Sequence, residues 1–353
     1  MEKKNVLMCC SHLSVKGGMV SVLKNYLNYN NWEEFNLIYI PTHIEKNKIL
    51  VAIFFLFSYI RILILVLTKK VDIAHLHVAE RGSFYRKAII ARTLKKFGIK
   101  VVFHHHAAEF ELFYDGLSEK HKKFVSKTLE DVDVNIVLSN RLVEMILSKA
   151  SKATVKVLYN AVEIYENNPY DSLSNIILFL GRLGQRKGTY DFLEAIKKIN
   201  MDLPSNIQVF LCGDGEVDNV KSAINKLGIE NRVGYIGWIE LEEKKKILKK
   251  TLINVLPSYN EGLPMSILEC MAAGIPNIST EIASIPEVIY NGENGFLIKP
   301  GDIDVMAERI LQLVNNEELR CAFSTESFDL INQHFSLQKH VDNLKNIYLE
   351  LIK

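Results

Sequence analysis

Residues 176–188 read IILFLGRLGQRKG. A short β-rich run ends in a glycine-containing basic turn, and a helical pattern takes over at Asp191–Ile199. Repeated along a chain, that order is the signature of parallel α/β units. It does recur. Outward from this stretch, β-rich runs fall at Gln208–Cys212, Gly234–Gly237, Asn254–Pro257 and Asn277–Ser279. In the first half they fall at Asn5–Cys10, Leu37–Ile40, Ile73–Val78, Val101–His105 and Asn135–Leu138. Helical stretches such as Val217–Leu227 separate most of them. Two doubly wound domains are the economical answer, and one closed barrel the less economical.

Length agrees, because 353 residues exceed one ordinary core. Pro41 is the only proline before residue 160, whereas seven follow, and residues 163–174 (EIYENNPYDSLS) are polar and turn-rich. The expected domains are therefore 1–160 and 161–336. The amphipathic tail 337–353 is expected to pack back on the first.

A hydrophobic content of 48% with 24% charged residues describes a globular protein, and a net charge of +2 points to no nucleic-acid partner. Five cysteines, odd in number and without a CxxC, fit a reducing cytoplasm. Residues 49–67, ILVAIFFLFSYIRILILVL, are long enough to span a bilayer and are flanked by Lys46, Lys48, Lys69 and Lys70. Arg61 near the centre favours a helix buried in the protein. Peripheral contact with the inner face of a membrane is the second reading and a true span the third.

Three turns carry candidate chemistry. Ser11–Gly18 (SHLSVKGG) joins the first strand to a helix, and its paired glycines let backbone approach an anion, although Gly-Gly is also ordinary turn chemistry. In GRLGQRKG, Arg182 and Lys187 sit at the carboxyl end of a strand, where open α/β sheets bind ligands. A planar fork beside a mobile point charge suits a diphosphate; a solvated basic turn is the plain alternative. Gly213-Asp214-Gly215-Glu216 ends another strand.

Residues 259–276, YNEGLPMSILECMAAGIP, hold a helix from about Pro264 to Ala273, closed by Gly274 and Pro276. Glu261 precedes it and Glu269 lies in its second turn, so one element presents an amide nest between two carboxylates. A nucleotide-sugar has hydroxyls on both sides of its diphosphate, and carboxylates accept from hydroxyls. Elsewhere, His104 and His106 share a strand face without a visible third metal ligand. Asp131/Asp133 and Asp302/Asp304 only imitate a DxD motif, Asp302 reading as a helix cap. Ser284-Ile285-Pro286-Glu287 reads as a capping box.

Glu261–Glu269 matches an E-x7-E motif. Together with GRLGQRKG, the Gly17-Gly18 loop and GDGE in this order, the chain resembles family 4 glycosyltransferases of bacterial surface-polysaccharide type. The resemblance implies the GT-B fold, α/β with two Rossmann-like domains facing across a cleft, and retaining transfer from a UDP- or GDP-sugar. It implies that Arg182 and Lys187 grip the donor diphosphate, assisted by backbone at Gly17, Gly18, Gly213 and Gly262–Leu263–Pro264–Met265. Glu269 would hold ribose, Glu261 the transferred sugar, and backbone at Trp238–Ile239 the base. His106 would line the acceptor side, with Ser83, Arg86 and Glu109 near it. The implied acceptor is a glycan or a polyprenyl-linked sugar, with no metal or cofactor. Ala107 and Asn160-Ala161 depart from the family pattern where glycines are common. Two rival readings are a nucleotide-sugar epimerase and a non-catalytic nucleotide-sugar binder.

Overall fold

The computed structural model describes residues 3–68 and 70–353. They form two compact units, one running to Asn160 and completed by Gln338–Lys353, the other Ala161–Leu337.

The first unit alternates β1 (Lys4–Cys10), α1 (Gly18–Asn28), β2 (Phe35–Pro41), α2 (Lys48–Thr68), β3 (Ile73–Val78), α3 (Gly82–Lys96) and β4 (Lys100–His105). It continues with α4 (Phe110–Asp115), α5 (Glu119–Asp131), β5 (Val134–Val137), α6 (Asn140–Lys149) and β6 (Val155–Val157). All strands pair in parallel, in the order β2-β1-β3-β4-β5-β6. In the second unit β7 (Ile176–Leu180), α7 (Thr189–Ile199), β8 (Gln208–Cys212), α8 (Val217–Leu227), β9 (Val233–Gly237), α9 (Leu241–Leu248) and β10 (Thr251–Leu256) follow one another. It ends with α10 (Met265–Ala272), β11 (Asn277–Thr280), β12 (Gly295–Ile298), α11 (Ile303–Asn315) and α12 (Glu317–His334); the last helix, α13 (Leu337–Ile352), lies almost wholly in the first unit.

The second sheet is also parallel, ordered β12-β11-β10-β7-β8-β9. The chain therefore reverses its direction of strand addition between β7 and β10. At such a point the connecting loops diverge and leave a crevice beyond the carboxyl ends of the strands. The first sheet has its own reversal between β1 and β3.

Local chemistry fixes the boundaries. β7 is buried at all five positions, as a strand covered on both faces must be. Asp302 caps α11 by accepting from the Val305 amide at 3.1 Å. Asp133 accepts from the Val101 amide and from Lys95, both at 2.8 Å, so that acidic pair is structural.

Four expectations need correction. β6 and β12, only three and four residues long, carry too little pattern to be seen in sequence. The strand expected at Asn254–Pro257 starts earlier, at Thr251, because it pairs with β7 from there. Ser284 Oγ caps nothing: a short 3-10 turn forms at Ile285–Glu287 and that hydroxyl is buried without a partner among the described residues. The fourth concerns α2, which is not a buried helix. Only Ser58 and Ile62 are buried, while Phe57 is 64% and Leu67 72% exposed.

Under the first sheet lies a buried network. His75 Nδ1 meets the Tyr348 hydroxyl at 2.6 Å and His75 Nε2 meets His104 Nδ1 at 3.1 Å. His77 Nδ1 lies 2.9 Å from His106 Nε2, and His340 binds the Tyr26 hydroxyl at 2.5 Å. His340 and Tyr348 belong to α13, so these bonds tie the last helix to α1 through Tyr26 and to β3 through His75. One ring nitrogen from each of His75, His77 and His104 lies within 4.8 Å of the other two, and His77 Nε2 and His104 Nε2 have no partner among the described residues. Burial keeps the rings neutral: it pushes His75 down to about 3 and His340 to about 4, and holds His77 and His104 well below their ordinary value.

Two predictions follow from this packing. An unfolded histidine takes up a proton below about pH 6.5 whereas these native rings do not, so the unfolded state binds more protons in acid. Stability is full above pH 6.5 and falls by up to about 1.4 kcal/mol per pH unit for each buried ring below it, until the folded value is reached. The second unit contains a single histidine, His334. Hydrogen exchange between pH 7.5 and 5 (about neutral to about one and a half units below the imidazole value) should therefore show protection lost first in the first unit; uniform loss would contradict this. In the second unit, a Cβ on Gly213 would overlap the Gly181 carbonyl oxygen. Gly213→Ala should destabilise that unit by about 1–3 kcal/mol, read as a lower thermal midpoint.

Candidate functional site

At the reversal in the second sheet, the loop after β7 (residues 181–188) rests on the loop after β10 (residues 257–264). Gly188 has φ 70°, and any Cβ there would overlap the Pro257 carbonyl oxygen. The Tyr259 amide donates to the Arg186 carbonyl at 2.9 Å, and Arg186 Nη1 donates to the Asn260 carbonyl at 3.0 Å. A third segment holds the first loop from the other side. The Leu183 amide donates to Asp214 O at 2.6 Å and the Glu216 amide to Leu183 O at 3.0 Å. GDGE is thereby a brace for GRLG. Gly213 belongs to that brace: its amide donates to Gly237 O at 2.8 Å, so close strand packing accounts for the residue rather than an amide open to a donor.

These loops bring Lys187 and Glu261 together. Lys187 Nζ bonds Glu261 Oε1, and Ser258 Oγ donates to the same oxygen at 2.6 Å. The pair is largely sequestered, with side-chain exposures of 13% and 6%. Eight residues on, Glu269 Oε1 accepts from Lys244 Nζ at 2.7 Å, and both side chains are about a fifth exposed. Each carboxylate thus uses Oε1 on a lysine, and neither Oε2 has a hydrogen-bond partner among the described residues.

Between the two glutamates α10 begins. Pro264 is its N-cap (φ −66°, ψ 123°) rather than its first helical residue. The amides of Met265, Ser266 and Ile267 form the first turn and have no carbonyl four residues back within the helix. Gly262, Leu263, Pro264 and Met265 are buried. Arg182, on the exposed lip, lies 3.5 Å from Asp214. Trp238 donates its indole N–H to Glu240 at 2.9 Å, its carbonyl accepts from the Tyr235 hydroxyl at 2.7 Å, and Ile239 is buried in the core. Lys244 and Ser258 escaped the sequence reading. Lys244 is one of three consecutive lysines, and only the fold selects the one that meets Glu269.

In the first unit the other candidates also follow strand ends. Gly17 precedes α1 and Gly18 opens it. Ser83 Oγ accepts from the Ala79 amide at 3.2 Å, and Glu109 pairs with Arg81 at 3.0 Å. Burial and the neighbouring imidazoles push His106 down to about 3, so at neutral pH it is an uncharged hydrogen-bonding ring. Arg86 and the buried Lys87 stand together at the start of α3, and burial pushes Lys87 down to about 8. Arg86 Nε and His43 Nδ1 have no partner among the described residues.

Residues 163–328 match the family model described as glycosyl transferases group 1. Among curated relatives, the chain is 25% identical over 299 residues to the N-acetyl-alpha-D-glucosaminyl L-malate synthase of Bacillus anthracis, covering 81% of this chain and 76% of that protein. It is 27% identical over 309 residues to a UDP-Gal:alpha-D-GlcNAc-diphosphoundecaprenol alpha-1,3-galactosyltransferase of Escherichia coli, covering 80% and 76%. Among solved structures, the sucrose-phosphate synthase of Thermosynechococcus elongatus superposes with a TM-score of 0.80 at 16% identity, over 99% of both chains. The second unit thus matches the glycosyl transferases group 1 model along most of its length, and the protein is a glycosyltransferase of the GT-B fold.

Proposed function

We propose that the protein moves a sugar from a UDP- or GDP-sugar to a hydroxyl of a glycan or polyprenyl-linked acceptor in cell-surface polysaccharide assembly, with retention and without a metal. The observation that carries this is the Lys187–Glu261 pair at the reversal point of the second sheet, with α10 opening beside it. The lipid-linked acceptor is supported by the Escherichia coli relative, named for a diphosphoundecaprenol-linked substrate. Such an acceptor is met at a membrane surface.

In this reading the donor diphosphate lies over the first turn of α10, whose amides and dipole favour an anion. Lys187 and Arg182 stabilise the charge that grows on it as the sugar–phosphate bond breaks. Glu261 Oε2 accepts from hydroxyls of the transferred sugar, and Glu269 Oε2 from the ribose. The acceptor oxygen attacks on the face the diphosphate leaves, and its proton passes to a phosphate oxygen of the leaving group. Glu261 is a poor candidate for the base, since its other oxygen is committed to Lys187 and Ser258. The two DxD-like pairs are supported in structural roles by the cap at Asp302 and the Asp133 contacts, which leaves charge stabilisation to the cations.

Lys187→Ala at saturating donor should lower turnover by ~10²–10³, the usual cost of one well-aimed stabilising group. Wild-type turnover in that variant would sink the assignment. Lys244→Ala acts through Glu269, remote from the breaking bond, and should raise the donor KM while leaving kcat near its original value. A product anomer inverted relative to the donor would overturn retention, and activity lost to a chelator and restored by magnesium would overturn the metal-free part.

A further inference from the structure

Among the described residues, α2 is the one helix long and apolar enough to cross a bilayer, and it carries two apolar stripes. One stripe faces the protein. Ser58 and Ile62 are buried, and Phe55, Tyr59, Leu65 and Val66 pack on the core of the first unit. The Tyr59 hydroxyl also meets Thr93 Oγ1 at 2.7 Å on α3. That docking already accounts for one face of the helix.

A helix docked on a globular core ordinarily turns charged and polar residues outward. Here the outward face is Ile53, Leu56, Phe57, Ile60, Ile64 and Leu67, each at least 43% exposed. Their spacing repeats the helical period, so they form a continuous strip along about 20 Å of helix. A strip of this size on a surface marks an interaction site.

Charge identifies the occupant. From Lys46 to Val71 the sequence has no aspartate or glutamate, yet it holds Lys46, Lys48, Arg61, Lys69 and Lys70. Lys46, Lys48 and Lys70 are exposed, Lys70 lying 3.7 Å from Asp72, and Arg61 is exposed beside the apolar strip. A second copy of the chain fits poorly. Arg61 lies three residues from the helix midpoint, so twofold packing would bring two guanidiniums within about 9 Å along the axis, with no acidic partner on the helix. A span fits no better, since the inner stripe is bonded to the core.

We propose that the outer face of α2 seats in an anionic bilayer surface, the helix lying in the plane of the membrane. The apolar strip enters the boundary between head groups and acyl chains. Arg61 extends to lipid phosphates, and the lysines at both ends meet the same negative surface. This proposal stands apart from the glycosyl-transfer reading, because membrane binding is measured without substrate.

The test uses the full chain and sedimentation with vesicles of phosphatidylglycerol mixed with phosphatidylcholine, against phosphatidylcholine alone. The protein should pellet with the anionic vesicles and less so in high salt. Phe57→Gln with Ile64→Gln should cut the partition coefficient by about tenfold or more, with the thermal midpoint unchanged because neither side chain is in the core. Arg61→Glu with Lys48→Glu should remove the preference for anionic lipid. Measured against the native Trp32 and Trp238 background, Phe57→Trp should add emission that shifts to the blue on binding and is quenched by bromolipid, whereas Phe55→Trp should not. Equal recovery of wild type in the supernatant with and without anionic vesicles overturns the proposal. So does a dimer that the Phe57/Ile64 double variant disperses while vesicle binding is absent.

Discussion

A sequestered ion pair, Lys187 with Glu261, joins the loop after β7 to the loop after β10, and the rest of the second unit is arranged around that junction. Burying two charges is worthwhile only when their geometry is good and the remaining polar atoms are satisfied. Here Ser258 supplies a second hydrogen bond to Oε1 while Oε2 keeps no partner among the described residues, and the loops are locked by contacts at Arg186, Tyr259 and Asn260. The glycines at 188 and 213 exist because backbone must approach backbone at these two places. Strand order, loop packing and the placement of a cation are thus one constraint seen at three scales.

Much of this was legible in sequence, for physical reasons that differ from residue to residue. Ile176–Leu180, Gln208–Cys212 and Val217–Leu227 fall at the residues where the structure has them, because a glycine or a change of period marks each end. The α10 helix was readable from Pro264, Gly274 and Pro276. What failed was information that lies in contacts. A sequence apolar on every side does not say which side is covered, so α2 was taken for a buried helix. Nor does a run of three lysines say that Lys244 is the one to reach Glu269. GDGE looked like a turn of its own, and only the pairing of Leu183 with Gly215 shows that it braces the neighbouring loop.

The histidine network of the first unit and the loop junction of the second handle polarity in different ways. Beneath the first sheet, imidazoles are held neutral by burial and satisfied largely by one another and by tyrosine hydroxyls, which makes a core that is polar yet uncharged. The junction in the second unit keeps charges and pairs them. Neutral rings suit a structural role, since each fixes a neighbour's orientation without a charge to solvate. Paired charges suit a site that must meet a charged ligand, because the pair can exchange its partner when the ligand arrives.

Counting those charges sharpens what the site needs. Arg182, Arg186, Lys187 and Lys244 stand against Asp214, Glu216, Glu261 and Glu269, four cations to four carboxylates, which leaves no net charge. A diphosphate group brings negative charge. In the proposed metal-free reading side chains alone do not balance it, and the remainder comes from backbone. On that reading the first-turn amides of α10 supply it where Glu261 and Glu269 bracket the helix start, without the rotamer entropy that another lysine would lose. The Arg182–Asp214 contact, on the exposed lip and 3.5 Å long, is the weakest of the pairs and the one most readily exchanged for phosphate. On this accounting, the eight-residue spacing of the two glutamates is set by the helix start they must flank. In the proposed function the acidic residues hold Lys187 and Lys244 in place and present one open oxygen each, while the start of the helix carries the anion.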